Sequence, residues 1–181
     1  NSAVDELLKR EFDECRSKGV AHPYMVDAGI KAVPANHSDL DQWRKNFVGV
    51  SYLHPATNFE VFGAIDDLWL TEGGEYLVVD YKATAKKDEV NLDADWQISY
   101  KRQMEIYQWL LRKNGLPISN RGWFVYCNGK RDLNRFDNKV EFRVSLLPYD
   151  GNDDWVETAL IEAKETLNKN DLPPADENCD F

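Results

Sequence analysis

Apolar residues recur at three-to-four spacing from residue 3 to 18. Val4, Leu7, Leu8, Phe12 and Cys15 share one side with Glu11, which predicts an amphipathic helix stopped by Gly19. A mixed segment with Pro23, Pro34 and Pro55 follows. In it the pattern predicts a helix over Asp39–Lys45, N-capped by Ser38, and a short strand over Phe47–Leu53. Phe59–Leu70 is rich in aromatic and β-branched residues and reads as a strand. Glu72-Gly73-Gly74 reads as a turn and Tyr76–Ala83 as the returning strand. Residues 84–95 are polar and loop-like. Trp96–Lys113 places Tyr100, Met104, Tyr107 and Leu111 on one helical face and ends at Asn114-Gly115. Strands over Gly122–Cys127 and Val140–Leu147 and a helix over Asp153–Leu167 complete the pattern, and Pro173-Pro174 ends regular structure. The order is helix, three strands, helix, strand, then an extra strand and helix, which is one α/β domain.

Composition supports a packed fold, since 43% of the 181 residues are apolar. No apolar run approaches the roughly 18–20 residues of a membrane helix. Asn1–Arg10 lacks the basic-then-apolar layout of a signal peptide. Cys15, Cys127 and Cys179 match neither a disulfide framework nor a zinc pattern and read as free thiols. The expectation is a cytoplasmic protein without a membrane partner.

The formal charge of −10, from 22 bases and 32 acids, argues in bulk against a polyanionic partner. Its distribution changes that picture. Residues 149–181 hold ten acids and two bases, a net −8, so residues 1–148 carry only −2. Within the body, Gln97–Lys113 and Arg121–Arg143 are each +3. We therefore divide the chain into a core over 1–148, including the last strand, and an acidic C-terminal helix and tail over 149–181.

The chemistry concentrates in Phe62-Gly-Ala-Ile-Asp66 and Leu77-Val-Val-Asp80-Tyr-Lys82. With the turn centred on Gly73, Asp66 and Asp80 face each other across two strands. Asp is depleted in strands, and opposed like charges destabilise a sheet, so a hard divalent cation held by carboxylate oxygens is the simplest compensation. Period-two alternation puts Lys82 on the face of Asp80. Two carboxylates and an ammonium around a metal suit activation of water beside a phosphate. The bland reading stands beside it: Asp66-Asp67 as a solvated strand end, and Asp80 with Lys82 as a surface ion pair. Against that, Asp80 follows an apolar run, where an idle charge is costly. Gln103 and Tyr107, one turn apart, add polar groups on one face of the next helix, although Tyr107 alone also reads as a core aromatic.

Gly63-x-Ile65-Asp66, the apolar-apolar-Asp80-x-Lys82 run and Gln103-x-x-x-Tyr107 together resemble the PD-(D/E)XK nuclease superfamily. The resemblance is nearest its RecB-type branch of CRISPR-adaptation exonucleases and helicase–nuclease subunits. It spans residues 1–127, and the last motif makes it specific. It implies a restriction-endonuclease-like αβββαβ core, with a mixed central sheet flanked by helices. It implies Mg²⁺ or Mn²⁺ bound by Asp66, Asp80 and the backbone carbonyl of Tyr81, with Lys82 catalytic and Gln103 and Tyr107 positioning the site. The branch places a metal-ligating His at the end of a G-x-x-x-H motif on its first helix. This chain has Asn1-x-x-x-Asp5, so Asp5 is the candidate third ligand and Glu6 a second candidate. Asp5 also reads simply as a first-turn acid favoured by the helix dipole.

Some branch members hold an iron–sulfur cluster with one Cys before the fold and three after it. The run Pro173–Phe181 holds only Cys179, so no cluster is expected in this chain, and the chain reads as a fragment of a longer protein. Lys86, Lys87, Lys101 and Arg102 are candidate phosphate contacts. His22, His37 and His54 read as surface or loop residues. Trp43, Trp69, Trp96 and Trp123 read as core, with Trp96 and Tyr100 the best candidates for base stacking. The resulting expectation is a metal-dependent, exonuclease-like deoxyribonuclease acting on single-stranded DNA or duplex ends, in repair, recombination or CRISPR-type processing, alone or with protein partners. A nuclease-fold module that binds nucleic acid or a protein partner without cutting is the alternative.

Overall fold

The computed structural model describes residues 2–171 and 174. Its elements are α1 (Ser2–Lys18), α2 (Pro23–Asp27), β1 (Ala32–Pro34), α3 (Leu40–Trp43), β2 (Val50–His54), β3 (Phe59–Gly63), β4 (Asp67–Thr71) and β5 (Tyr76–Thr84). They continue with α4 (Ile98–Lys113), preceded by a 3₁₀ turn over Asp95–Gln97, then β6 (Arg121–Gly129), β7 (Phe142–Asp150) and α5 (Trp155–Leu167). Five strands form one mixed sheet in the order β1-β4-β5-β6-β7, while β2 and β3 pair only with each other.

The sheet is antiparallel except between β5 and β6, the pair bridged by the α4 crossover. A parallel pair needs such a long connection, and both faces of its strands are covered. That is why β5 carries the unbroken run Leu77-Val78-Val79. Its alternate residues serve two cores. Leu77, Val79 and Tyr81 pack with Leu8 and Phe12 of α1, whereas Val78 packs with Met104, Tyr107 and Leu110 of α4. This two-layered covering of a mixed sheet is the expected α/β, restriction-endonuclease-like architecture.

Several local expectations are corrected. The run Phe59–Leu70 is not one strand: it breaks between Gly63 and Asp67, where the chain leaves the β2–β3 hairpin and enters the main sheet. The αβββαβ core is therefore α1, β1, β4, β5, α4 and β6, and its first strand is the three-residue β1, too short to show a periodicity. The strand expected over Phe47–Leu53 starts at Val50, because Phe47 and Gly49 both sit at positive φ and Phe47 is 94% exposed. Asp39, not Ser38, is the N-cap of α3; the Ser38 hydroxyl hydrogen-bonds the Asp39 side chain instead. Leu7 points to solvent, leaving Leu8 and Phe12 as the buried residues of α1.

Two of the three histidines are buried. His22 stacks on Phe12. His54 lies 2.8 Å from Thr57 Oγ1 and 2.7 Å from Glu157 Oε2, which ties the β2–β3 hairpin to α5. Cys15 and Cys127 are free thiols, and burial pushes the Cys127 thiol up to about 11. Among the described residues no helix is long and apolar enough to cross a membrane. Asn1, Pro173 and Cys179, named above, lie outside the described residues.

Candidate active site

The turn expectation holds in register. Asp67 pairs with Val79 and Leu68 with Val78, so one step further along the ladder Asp66 comes opposite Asp80. Asp66 sits in the bend just before β4, and its carboxylate Oδ2 accepts the backbone N–H of Tyr81 at 2.8 Å. Asp80 stands inside β5 on the α4 face, beside Phe124 of β6, and is only 3% exposed.

Burial pushes the Asp80 carboxyl up to about 6, against the pull of Lys82, and the charges of Asp66 and Asp5 push the same way. Asp66 is also raised by burial, opposed by the Tyr81 N–H and by Lys9. Lys82 Nζ lies 2.6 Å from Asp80 Oδ2. This ion pair is the one close contact that Oδ2 makes among the described residues. A buried carboxylate met by a single ammonium keeps acceptor positions to spare, and a hard cation would be stabilised there.

From Lys82 a string of polar groups crosses to α4. Nζ donates to Gln103 Oε1 at 3.1 Å, and Gln103 Nε2 donates to the Tyr107 hydroxyl at 2.8 Å. Burial pushes the Tyr107 hydroxyl up to about 12, and the nearby Asp80 adds to the effect, so the phenol stays neutral. The ammonium of Lys82 also lies 4.5 Å from the centroid of the Tyr100 ring. Helical spacing thus delivers Tyr100, Gln103 and Tyr107 to the end of β5, as the sequence pattern implied.

A cavity of about 380 Å³ opens on this end of the sheet, lined by Asp5, Lys9, Asp66, Tyr81, Lys82 and Tyr100 among others. Asp5 therefore reaches the site, but through a lysine. Lys9 Nζ is 2.9 Å from Asp5 Oδ2 and 3.5 Å from Asp66 Oδ1. Among the described residues no three His, Cys, Asp or Glu side chains converge as a ready ligand set. Asp66 lines the cavity and is near enough for its charge to bear on Asp80, and the Tyr81 N–H holds its carboxylate. Two buried or half-buried carboxylates, all oxygen, fit a hard divalent cation and offer nothing to a soft one.

Lys86 and Lys87 lie beyond the end of β5 in a separate basic cleft. Lys101 and Arg102 line neither cavity. Their charges rest over the rings of Tyr149 and Trp155, at 5.9 and 5.7 Å from the centroids. Glu6 pairs with Arg10 along α1.

Three residues near the site were not anticipated. Asp67 is fully buried on the face opposite Asp80. It receives Arg16 Nη2 at 2.5 Å, Arg44 Nη2 at 2.9 Å and the Tyr81 hydroxyl at 2.8 Å. It is a structural keystone between α1, α3 and the sheet rather than a solvated strand end. Its signal was available: in the same register that opposes Asp66 to Asp80, Asp67 must face Val79. Lys9 could have been found as the i+4 partner of Asp5. Arg44, which also donates to the Asp66 carbonyl at 2.8 Å, had no local signal.

A family model described as PD-(D/E)XK nuclease superfamily matches residues 1–181. No curated protein matches. Among solved structures, the crystal structure of SSO0001 is similar at 18% identity and a TM-score of 0.40, covering 66% of this chain and 48% of that one. The chain thus spans about half the length of the solved structure it matches.

Proposed function

The chain belongs to the PD-(D/E)XK nuclease superfamily, and from that premise we propose that it is a divalent-metal-dependent deoxyribonuclease of the RecB type. The observation that carries the reading is the buried Asp80 carboxylate, paired at 2.6 Å with Lys82 Nζ and near enough to Asp66 to feel its charge. The Lys82 ammonium offsets part of the cost of burying that charge, and a hard cation shared with Asp66 would offset more.

Asp66, Asp80 and the Tyr81 carbonyl would hold Mg²⁺ or Mn²⁺, with Asp5 as a further carboxylate at the cavity wall. Such an ion supplies an acidified water and offsets charge on the phosphoryl oxygens. The rest is the work of the chain's own groups. Lys82, ion-paired with Asp80, would present an N–H to the water or the phosphoryl group. Gln103 fixes that aim by accepting another N–H, and Tyr107 fixes the amide in turn. Asp80 must be ionised to act as a ligand, which its position near pH 6 permits at neutral pH.

Attack from a strand end, and a setting in repair, recombination or CRISPR-type processing with protein partners, belong to the same proposal and rest on the branch motifs. Incubation with labelled single-stranded DNA, duplex DNA and RNA, with Mg²⁺, Mn²⁺ or EDTA, tests it. Cleavage of DNA that needs the cation and is lost in Asp80→Ala and Lys82→Ala is expected. Binding without cleavage under every condition would establish the silent-module reading instead.

A further inference from the structure

We propose that the β6–β7 hairpin and the segment after β5 form a second phosphodiester-binding site, which holds the nucleic-acid backbone beyond the point of cleavage. The inference rests on the nuclease reading above for its ligand. Its physical basis is a cleft of about 240 Å³ lined by Lys86, Lys87, Lys130, Arg131 and Arg143, with Asp132 the one acid in the lining. The chain as a whole is at −10, so five bases around one cleft run against its general charge. Of the five, Lys130 alone has a carboxylate partner among the described residues, Glu141 at 3.0 Å. Gathered cations without counter-charges repel one another and attract a polyanion.

The cleft is held in shape. Asn128, buried at the end of β6, accepts the Lys86 backbone N–H at 2.8 Å and donates to the Lys86 carbonyl at 3.2 Å. Arg131 donates to the Ala85 carbonyl at 3.3 Å. The hairpin and the segment following the catalytic strand are thus fastened to each other, and the bases project from a fixed frame.

Its position relative to the site gives the direction. Lys86 follows Lys82 by four residues, at most about 13 Å at the ~3.3 Å rise of extended chain. The interval is bridged by two neighbouring rings with a cation at each end. Lys82 lies over Tyr100, Tyr100 is 5.4 Å from Trp96, and Lys86 Nζ lies 4.9 Å from the centroid of Trp96, itself 54% exposed. Aromatic surfaces flanked by cations suit a strand with unpaired bases, which offers both faces to stack and phosphates to pair. The occupant is therefore a single strand, its backbone on the cleft and its bases toward Trp96.

The test is fluorescence anisotropy of the full chain with a labelled single-stranded 20-mer in EDTA, over a salt series. The parent is compared with the triple variant Lys130→Gln/Arg131→Gln/Arg143→Gln and the charge-keeping variant Lys130→Arg/Arg143→Lys. Loss of three phosphate contacts is expected to weaken binding more than tenfold at moderate salt. It should also flatten the logarithmic salt slope by about 2, from ~0.7 per phosphate on a single strand. The charge-keeping variant should bind as the parent does, because backbone contact needs charge more than shape. Unchanged affinity and slope in the triple variant, with its thermal midpoint intact, would overturn the cleft. So would displacement of the 20-mer by millimolar inorganic phosphate at matched ionic strength, which marks a small-anion site. The two readings separate cleanly: a parent that binds through these residues but never cuts upholds the cleft and refutes the nuclease, whereas a cutting parent with an indifferent triple variant does the reverse.

Discussion

A β-carbon built on Gly63 would lie 2.6 Å from Cε1 of Tyr107. The glycine that ends β3, three residues before Asp66, is therefore in contact with the tyrosine that ends the Lys82–Gln103–Tyr107 string. Two motifs that look independent in the sequence are one packing unit. The glycine lets α4 approach the loop carrying Asp66, and the approach brings Gln103 within reach of Lys82. This relationship makes the site a single object with a testable seam.

Gly63→Ala should overpack that seam. The cost is expected at about 1–3 kcal/mol, read as a lower midpoint in urea, with a drop in cleavage beyond what the lost stability explains. Combining it with Tyr107→Ala makes room for the methyl group, so the double variant should be less destabilised than the sum of the single ones. Strict additivity would show that the two residues do not meet.

Asp67 provides a contrast in stability rather than chemistry. Asp67→Asn leaves the half-exposed Asp13 as the one carboxylate partner of the buried Arg16 and Arg44, and loss of one member of a buried ion network costs up to about 3–5 kcal/mol. Denaturant unfolding should register that loss in full. The fraction still folded should cut DNA at the parent's rate, because the carboxylate lies on the opposite face of the sheet from Asp80. Full stability in this variant would remove Asp67 from its structural role.

How far the sequence carried follows from the range of the forces involved. Helices α1, α4 and α5 and strands β5, β6 and β7 were legible because each has a long periodic stretch or a continuous apolar run. The opposition of Asp66 and Asp80 was legible because one tight turn fixes the register of β4 against β5. What failed depended on distant partners. β1 exists only by pairing with β4, β2–β3 leaves the main sheet at a bend invisible to strand propensity, and His54 is buried by Glu157, 103 residues away. Lys9 between Asp5 and Asp66 belongs to the same class: the i+4 pair is local, but the second carboxylate lies far along the chain.

The position of Asp80 near pH 6 carries a stability consequence whose sign is opposite to that of an ordinary ion-paired acid. In the unfolded chain its carboxyl titrates near ~3.9, so as pH falls the folded state takes up the proton first. The penalty for burying the anion is complete above pH 6 and disappears between about 6 and 4. In EDTA, Asp80→Asn should accordingly be more stable than the parent at pH 7.5 by on the order of 2–3 kcal/mol, and should gain little at pH 4. Equal differences at both pH values would mean that the folded carboxyl titrates normally.

Lys9 stands 2.9 Å from Asp5 and 3.5 Å from Asp66, so the chain's own ammonium lies between two of the carboxylates proposed as ligands. A divalent ion approaching Asp66 meets that charge, and the repulsion opposes binding by an amount set by local screening. Partly exposed pairs of this kind are worth up to about 1 kcal/mol, which corresponds to roughly fivefold in an equilibrium constant. Lys9→Met keeps the aliphatic stem and removes the charge. Titration calorimetry with Mn²⁺ should then show affinity several-fold tighter than the parent's, while Asp66→Asn should abolish the heat signal. The opposite result, weaker Mn²⁺ binding in Lys9→Met, would assign Lys9 a different part: holding Asp5 and Asp66 in ligating position instead of competing for them.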